Sequence, residues 1–209
     1  MIYDITRKVT PTLPVWPGDT PFRVDHVLRR TEGGSVNLTT LTMTAHLGTH
    51  ADAYYHFSDN GSFAGDMPLE AYIGPARVVT VSKTDGPLLP EDVGHIAGVE
   101  RLLIHSAVSD LEEVWPEQFP YLSVELIEWL AANGVRLVGL DSPSVDAFDS
   151  QDLPCHHALQ QHNMVNLESL LLRNVPDGDY ELIALPLRLD GACGSPVRAI
   201  LREFQSGEA

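Results

Sequence analysis

Fifteen prolines and sixteen glycines are spread along this chain of 209 residues, and that punctuation breaks it into short elements. Between the breaks, "VNLTTLTMT" (36–44) alternates apolar and polar side chains, with threonines suited to a pleated surface. "ARVVTVS" (76–82), "RLLIHS" (101–106), "RLVGLD" (136–141), "YELIALPL" (180–187) and "PVRAILREF" (196–204) are β-branched or apolar runs bounded by turns and read as strands. The clearest helix is "SVELIEWLAANG" (123–134). Ser123 can cap it, Glu125 suits its positive end, Ile127, Leu130 and Ala131 line one face, and Gly134 stops it. It feeds directly into the strand at 136–141. A second helix is expected from near Pro154 through "CHHALQQH", with proline at a tolerated early position. Strands outnumber helices, which predicts a mixed α/β domain.

A chain of this length can bury a sizeable core, and a single domain over 1–209 is expected. The balance of 13 basic against 29 acidic residues, a net charge of −16, repels nucleic acid and anionic membrane surfaces. The start, "MIYDITRKV", lacks the apolar core of a signal peptide, and no apolar run approaches membrane-spanning length. Cys155 and Cys193 are the only cysteines, and nothing marks the chain as secreted. Reduced thiols and a cytoplasmic location are the expectation.

The chemistry concentrates in two histidine clusters. In "TAHLGTHADAYYHF" (44–57), His46, His50, Asp52 and His56 fall within eleven residues. Histidines four apart share a helix face, but the helical zinc motif needs Glu directly after the first His, and Leu47 stands there. Gly48 and the preceding threonine-rich run place the end of a strand near His46, with His50 and Asp52 in the turn or the next element. Neutral imidazoles and a carboxylate suit zinc or manganese. The plainer reading is a surface loop whose histidines bond backbone carbonyls.

The second cluster, "CHHALQQHN" (155–163), carries His156, His157 and His162 on the expected helix, with Glu168 following in "MVNLESLLL". A histidine on a polar helix face is more often solvated than a ligand, and Glu168 could equally open a helix over "ESLLL". Taken together the clusters supply enough donors for two ions sharing one carboxylate, an arrangement in which two metals lie about 3.5–4 Å apart.

"HLGTHADAYYH" resembles the H-x-G-T-H-x-D-x-x-x-H signature of the cyclase-like metal-dependent hydrolases. The likeness runs on, in order, through "YDITRKVTPTLPVWPGD" (3–19), "MPLEAYIGPARVV" (67–79), "GLDSPSVD" (139–146), "CHHALQQHNMVNLESL" (155–170) and "LIALPLRLDGACGSPVRAIL" (182–201). It implies a swivelling β/β/α fold with a central mixed, partly barrel-like sheet and flanking helices. It also implies two zinc ions per subunit, with manganese or another divalent metal possible. His46, His50 and Asp52 match the ligands of the first ion, Asp52 bridges, and His156 and Glu168, twelve apart as in the family, complete the second; His157 would break that spacing. His56 matches the proton donor and acceptor. Trp16 matches an aromatic residue that lies against substrate, although a lone tryptophan beside proline ordinarily packs into a core. An acidic residue often stands in the family where this chain has Cys193. The implied assembly is a homodimer.

Within the family the resemblance is strongest to the branch that hydrolyses N-formyl-L-kynurenine to L-kynurenine and formate. A hydrolase opening a cyclic amide such as isatin is the nearest alternative, and a non-catalytic metal-binding protein the next. His56 argues against the latter, since a structural site has no need of a proton-transfer group. "GSP" and "DSP" lack the G-x-S-x-G elbow of serine hydrolases. Cys155 and His156, being neighbours on a helix, do not face one another as a thiol nucleophile and its base would. Asp141 and Asp146 in "LDSPSVD" could support the site from behind or simply stabilise a turn.

Overall fold

A computed structural model of the protein describes residues 1–111 and 114–204. In chain order the strands are β1 (Ile2–Asp4), β2 (Arg23–Leu28), β3 (Leu38–Thr42), β4 (His50–Asp52), β5 (Ile73–Thr80), β6 (Gly86–Leu88), β7 (Arg101–His105), β8 (Pro120–Leu122), β9 (Leu137–Leu140), β10 (Val165–Glu168), β11 (Gly178–Ile183), β12 (Gly194–Pro196) and β13 (Ile200–Arg202). The α-helices are α1 (Pro90–Val93), α2 (Val124–Ala132) and α3 (Pro154–Gln161).

Nine strands form one curled, half-barrel sheet in the order β1-β13-β11-β5-β7-β9-β10-β4-β12. Its centre is parallel, β5 with β7, β7 with β9 and β9 with β10. Both flanks are antiparallel, so the sheet is mixed as expected. Strand alternation divides the core. Leu103 and Leu137 join Tyr72, Leu167, Leu182 and Leu201 on one side. Leu102, Ile104, Val138 and Leu140 face the other way, against Leu126, Ile127 and Leu130 of α2 and Leu159 of α3. The helices therefore cover one face only. Among the described residues no helix is long and apolar enough to cross a membrane.

Helix α2 forms where its caps place it. The Ser123 hydroxyl accepts the Leu126 amide at 3.0 Å, and Gly134, at φ +86°, ends the turn beyond it. Ala131 is only partly buried, and Leu126 takes its place on the buried face. Helix α3 begins at Pro154, as the sequence predicts. Two expectations change. Of the run 196–204 only Ile200–Arg202 forms a strand of its own, β13, while Pro196 ends β12. The run 36–44 gives a strand only over Leu38–Thr42, which pairs with β2 in a separate two-stranded ribbon rather than joining the large sheet.

Candidate active site and metal centre

The site is assembled by the register of β4 with its two neighbours. β4 lies between β10 and β12, with Glu168 opposite His50 and Gly194 opposite Asp52. Because a strand alternates faces, His50 and Asp52 share one face with Asn166 and Glu168, while Ala51 and Leu167 turn into the apolar core. Four polar side chains are thus buried side by side, each no more than 4% exposed. Such burial requires that their polar atoms find partners. The Asn166 amide donates to Asp52 Oδ2 at 2.7 Å and to Glu168 Oε1 at 3.0 Å, and the Val145 amide donates to that same Glu168 oxygen at 3.0 Å.

The remaining donors come from the flanks. His46 arrives on the turn after the ribbon, its Nδ1 2.8 Å from Asp52 Oδ1. Gly48 makes that turn at φ +60°, and its carbonyl lies 2.8 Å from His50 Nδ1. His50 Nε2 then points inward, 3.4 Å from Asp52 Oδ1 and 3.3 Å from Glu168 Oε2. His156 comes from the first turn of α3. Asp146 accepts the amides of Cys155 and His156, capping that helix, and meets His156 Nδ1 at 2.6 Å. His156 Nε2 is thereby aimed at Asp52 Oδ2, 3.4 Å away, and at Glu168 Oε1, 3.8 Å away. The chain is strained on either side of this pair: Leu153 and Ser169 hold φ of 43° and 55° without being glycine.

Two donor sets result, His46–His50–Asp52 and Asp52–His156–Glu168, the donor atoms of each lying within 4.8 Å of one another. Asp52 belongs to both and meets each through a different oxygen. Among the described residues, His50 Nε2 and Asp52 Oδ1 are buried without a well-directed hydrogen bond, His46 Nδ1 being close to that oxygen at 2.8 Å, a costly arrangement for groups that lack a cation between them. The donors are imidazole nitrogens and carboxylate oxygens, which fit a borderline divalent ion such as zinc or manganese. A third set, His46–His56–Cys193, lies beside the first, with Cys193 Sγ 3.1 Å from His46 Nε2.

Charge in the cluster is divided unequally. Burial opposes ionisation of His46, His50 and His156, yet bonds to Asp52 and its neighbouring acids push them up to about 9, about 10 and about 10. Burial would raise Asp52, but His156, His46 and His50 hold it well below the carboxylate range. Glu168 goes up, through burial and the adjacent Asp52 charge. His56 is different. Burial of part of its ring, followed by the repulsion of the other imidazoles, pushes it down to about 4 against the pull of Asp52. It stands at the end of a short 3-10 turn, with its ring centroid 4.1 Å from that of His46 and one edge open to the cavity.

That cavity, about 470 Å³, is lined by His46, His50, His56, His156 and Glu168 together with Trp16, Trp115, Asp19 and Arg7, and Asp52 lies buried behind these donors. Trp16 is half-buried rather than in the core; its ring lies 5.0 Å from Phe148 at a 33° tilt and meets Trp115 edge-on at 5.4 Å. All six ligand and proton-transfer candidates read from the sequence, His46, His50, Asp52, His56, His156 and Glu168, come together here. His157 and His162 do not: His157 packs edge-on against Phe57 at 5.4 Å, and His162 ends α3. Glu168 closes a strand and opens no helix. Asp146 supports the site from behind, whereas Asp141 is a loop brace that accepts Ser106 N, Ser106 Oγ and Ser109 N at 2.8, 2.7 and 3.0 Å. Burial pushes the Cys155 thiol up, and it donates to the Leu122 carbonyl at 3.1 Å, so it is no nucleophile. Asn166, Trp115 and Phe148 were not foreseen. Asn166 had one available signal, its place two residues before Glu168 on what proves to be a strand.

Residues 3–147 match the family model described as "Putative cyclase". The chain is 44% identical over 200 residues to the kynurenine formamidase of Bacillus cereus, covering 95% of this chain and 96% of that one. Among solved structures, one titled as a potential metal-dependent hydrolase with cyclase activity superposes with a TM-score of 0.84 at 24% identity over 99% of both chains. Isatin hydrolase A from Labrenzia aggregata superposes at 0.82 with 25% identity, over 98% of this chain and 94% of that one.

Proposed function

The chain belongs to the putative cyclase family, and from that premise we propose that it is a kynurenine formamidase, hydrolysing N-formyl-L-kynurenine to L-kynurenine and formate in tryptophan breakdown. The observation that carries this is one carboxylate, Asp52, shared between two donor sets whose other members line a cavity that also holds His56 and the Trp16 ring. His46, His50, Asp52, His156 and Glu168 would hold two divalent cations, zinc by preference. The cations would supply a Lewis acid for the formyl oxygen and a water acidified from about 16 to about 7.

The protein's own groups do the rest. Trp16 packs on the aryl ring and Phe148 holds Trp16 in place, fixing the anilide over the cluster. Cleavage of the amide consumes one water: its hydroxyl goes to the formyl carbon and its proton must reach the aniline nitrogen as the C–N bond breaks. His56, beside His46 and open to the cavity, is placed to take that proton and return it to the leaving nitrogen. Asn166 fixes both carboxylates, so neither rotates as charge develops.

Substrate choice separates this from the reading as a cyclic-amide hydrolase, the activity of a structurally related protein, isatin hydrolase A, at 25% identity. N-formyl-L-kynurenine and isatin are offered to metal-loaded wild type and His56→Ala, and metals per chain are counted. The formamidase reading requires rapid kynurenine release by wild type, lost in His56→Ala with the metal content kept. Isatin opening with the formamide untouched would replace it. We assign the whole chain, 1–209, to one catalytic domain that works in the cytoplasm as a homodimer.

A further inference from the structure

Each metal-facing histidine has one nitrogen turned in to the carboxylates and the other turned out to the wall. His50 meets the Gly48 carbonyl and His156 meets the Asp146 carboxylate. These are the ordinary partners of a metal-ligating imidazole, and they set which nitrogen is free for the ion. His46 is the exception. Its Nδ1 faces Asp52, while its Nε2 faces a sulfur, Cys193 Sγ, at 3.1 Å.

That sulfur is held where it is by the sheet. Ala53 N donates to the Cys193 carbonyl at 3.0 Å, and the next residue, Gly194, is in register with Asp52. Gly194 is required there: a Cβ on it would come within 2.8 Å of His46 Cε1 and 3.1 Å of the Ala51 carbonyl. The imidazole is thus laid across a bare backbone and tethered at its far end by the thiol.

We propose that Cys193 is a positioning residue, accepting the Nε2–H of His46 so that Nδ1 is presented to the ion of the His46–His50–Asp52 set. A thiol is a weaker acceptor than the carboxylate that holds His156. The two donor sets therefore differ in strength, and the ion of the first set is the one that leaves first. The inference rests on the site being a metal centre and is independent of the substrate.

The test titrates zinc-loaded and cobalt-loaded protein with a chelator and counts ions per chain for wild type, Cys193→Ala, Cys193→Ser and Cys193→Asp. Wild type should release its two ions in separate steps. Cys193→Ala should weaken the first-released ion by about 10–100-fold and leave the second unchanged. Cys193→Asp should restore the lost affinity or exceed it, and the melting temperatures of the metal-free proteins should agree. Unchanged affinities in Cys193→Ala would overturn the inference. So would a thiolate-to-cobalt charge-transfer band that vanishes in Cys193→Ser, since Cys193 would then be a ligand itself. Failure of wild type to take up any ion would overturn the metal reading of the whole site, a result distinct from either.

Discussion

His46, His50 and His156 differ from His56 in what their protons are for. The first three are pushed up to about 9, about 10 and about 10, so metal-free protein at pH 7.5 carries them protonated beside Asp52. An ion binds only neutral imidazole, so loading must expel these protons. Calorimetry in buffers of differing ionisation enthalpy should register proton release at pH 7.5, and apparent affinity should fall further as pH is lowered. Uptake without proton release at pH 7.5 would contradict the assignment of these nitrogens as ligands. His56 is pushed down to about 4, so it is already neutral and adds nothing to that release. Its replacement by Ala should lower kcat by about 10²–10⁴-fold while both ions stay bound. His46, His50 and His56 were legible because their spacing within 46–56 is local to the chain, whereas His156 was singled out from its neighbours only by the resemblance and its twelve-residue distance to Glu168. Asn166 and Cys193 were not legible, because their roles exist only through strand pairing with β4, more than a hundred residues away.

β10 shows why some elements escape a reading of periodicity. In "VNLE" the apolar Val165 and Leu167 do alternate with Asn166 and Glu168, but the polar face is as buried as the apolar one. The pattern resembles a half-exposed strand or a loop, and the alternation repeats too briefly to decide. α2 is the opposite case, since its caps and apolar face act within twelve residues. Leu130 lies there fully buried between helix and sheet. Leu130→Ala should cost about 2–5 kcal/mol of stability, read by urea unfolding, with metal content unchanged. Gly194→Ala should do the reverse. The new methyl group meets His46 Cε1 and crowds the Ala51 carbonyl, so the variant should lose the ion of the first donor set at a smaller cost in stability than Leu130→Ala. Two ions bound at wild-type affinity in Gly194→Ala would mean that His46 does not need the space it is given.

At the scale of the molecule, the ribbon of β2 and β3 is the part that stands apart from the large sheet. A lone two-stranded ribbon is marginal in water. This one leaves Val27, Leu28, Val36, Leu38 and Leu41 between 44% and 56% exposed. It is also electrically unlike the rest. Residues 23–42 hold three arginines against two acids, in a chain whose net charge is −16. Arg23 and Arg29 pair with Asp25 and Glu32 within the ribbon, at 3.0 and 3.5 Å. Two copies so acidic repel one another over most of their surface, and the ribbon is where they can meet with least opposition. A dimer formed there is held by apolar burial and opposed by net charge, so added salt should strengthen it by screening. Light scattering across ionic strength should give twice the chain mass, with the dissociation constant falling as salt rises. Leu41→Asp should shift the protein to monomer while leaving the metal content of each chain intact, because the ribbon's far strand reaches the site only through the turn that carries His46. A dimer that survives Leu41→Asp, or one that dissociates as salt is added, would place the interface elsewhere and make ion pairs its cement.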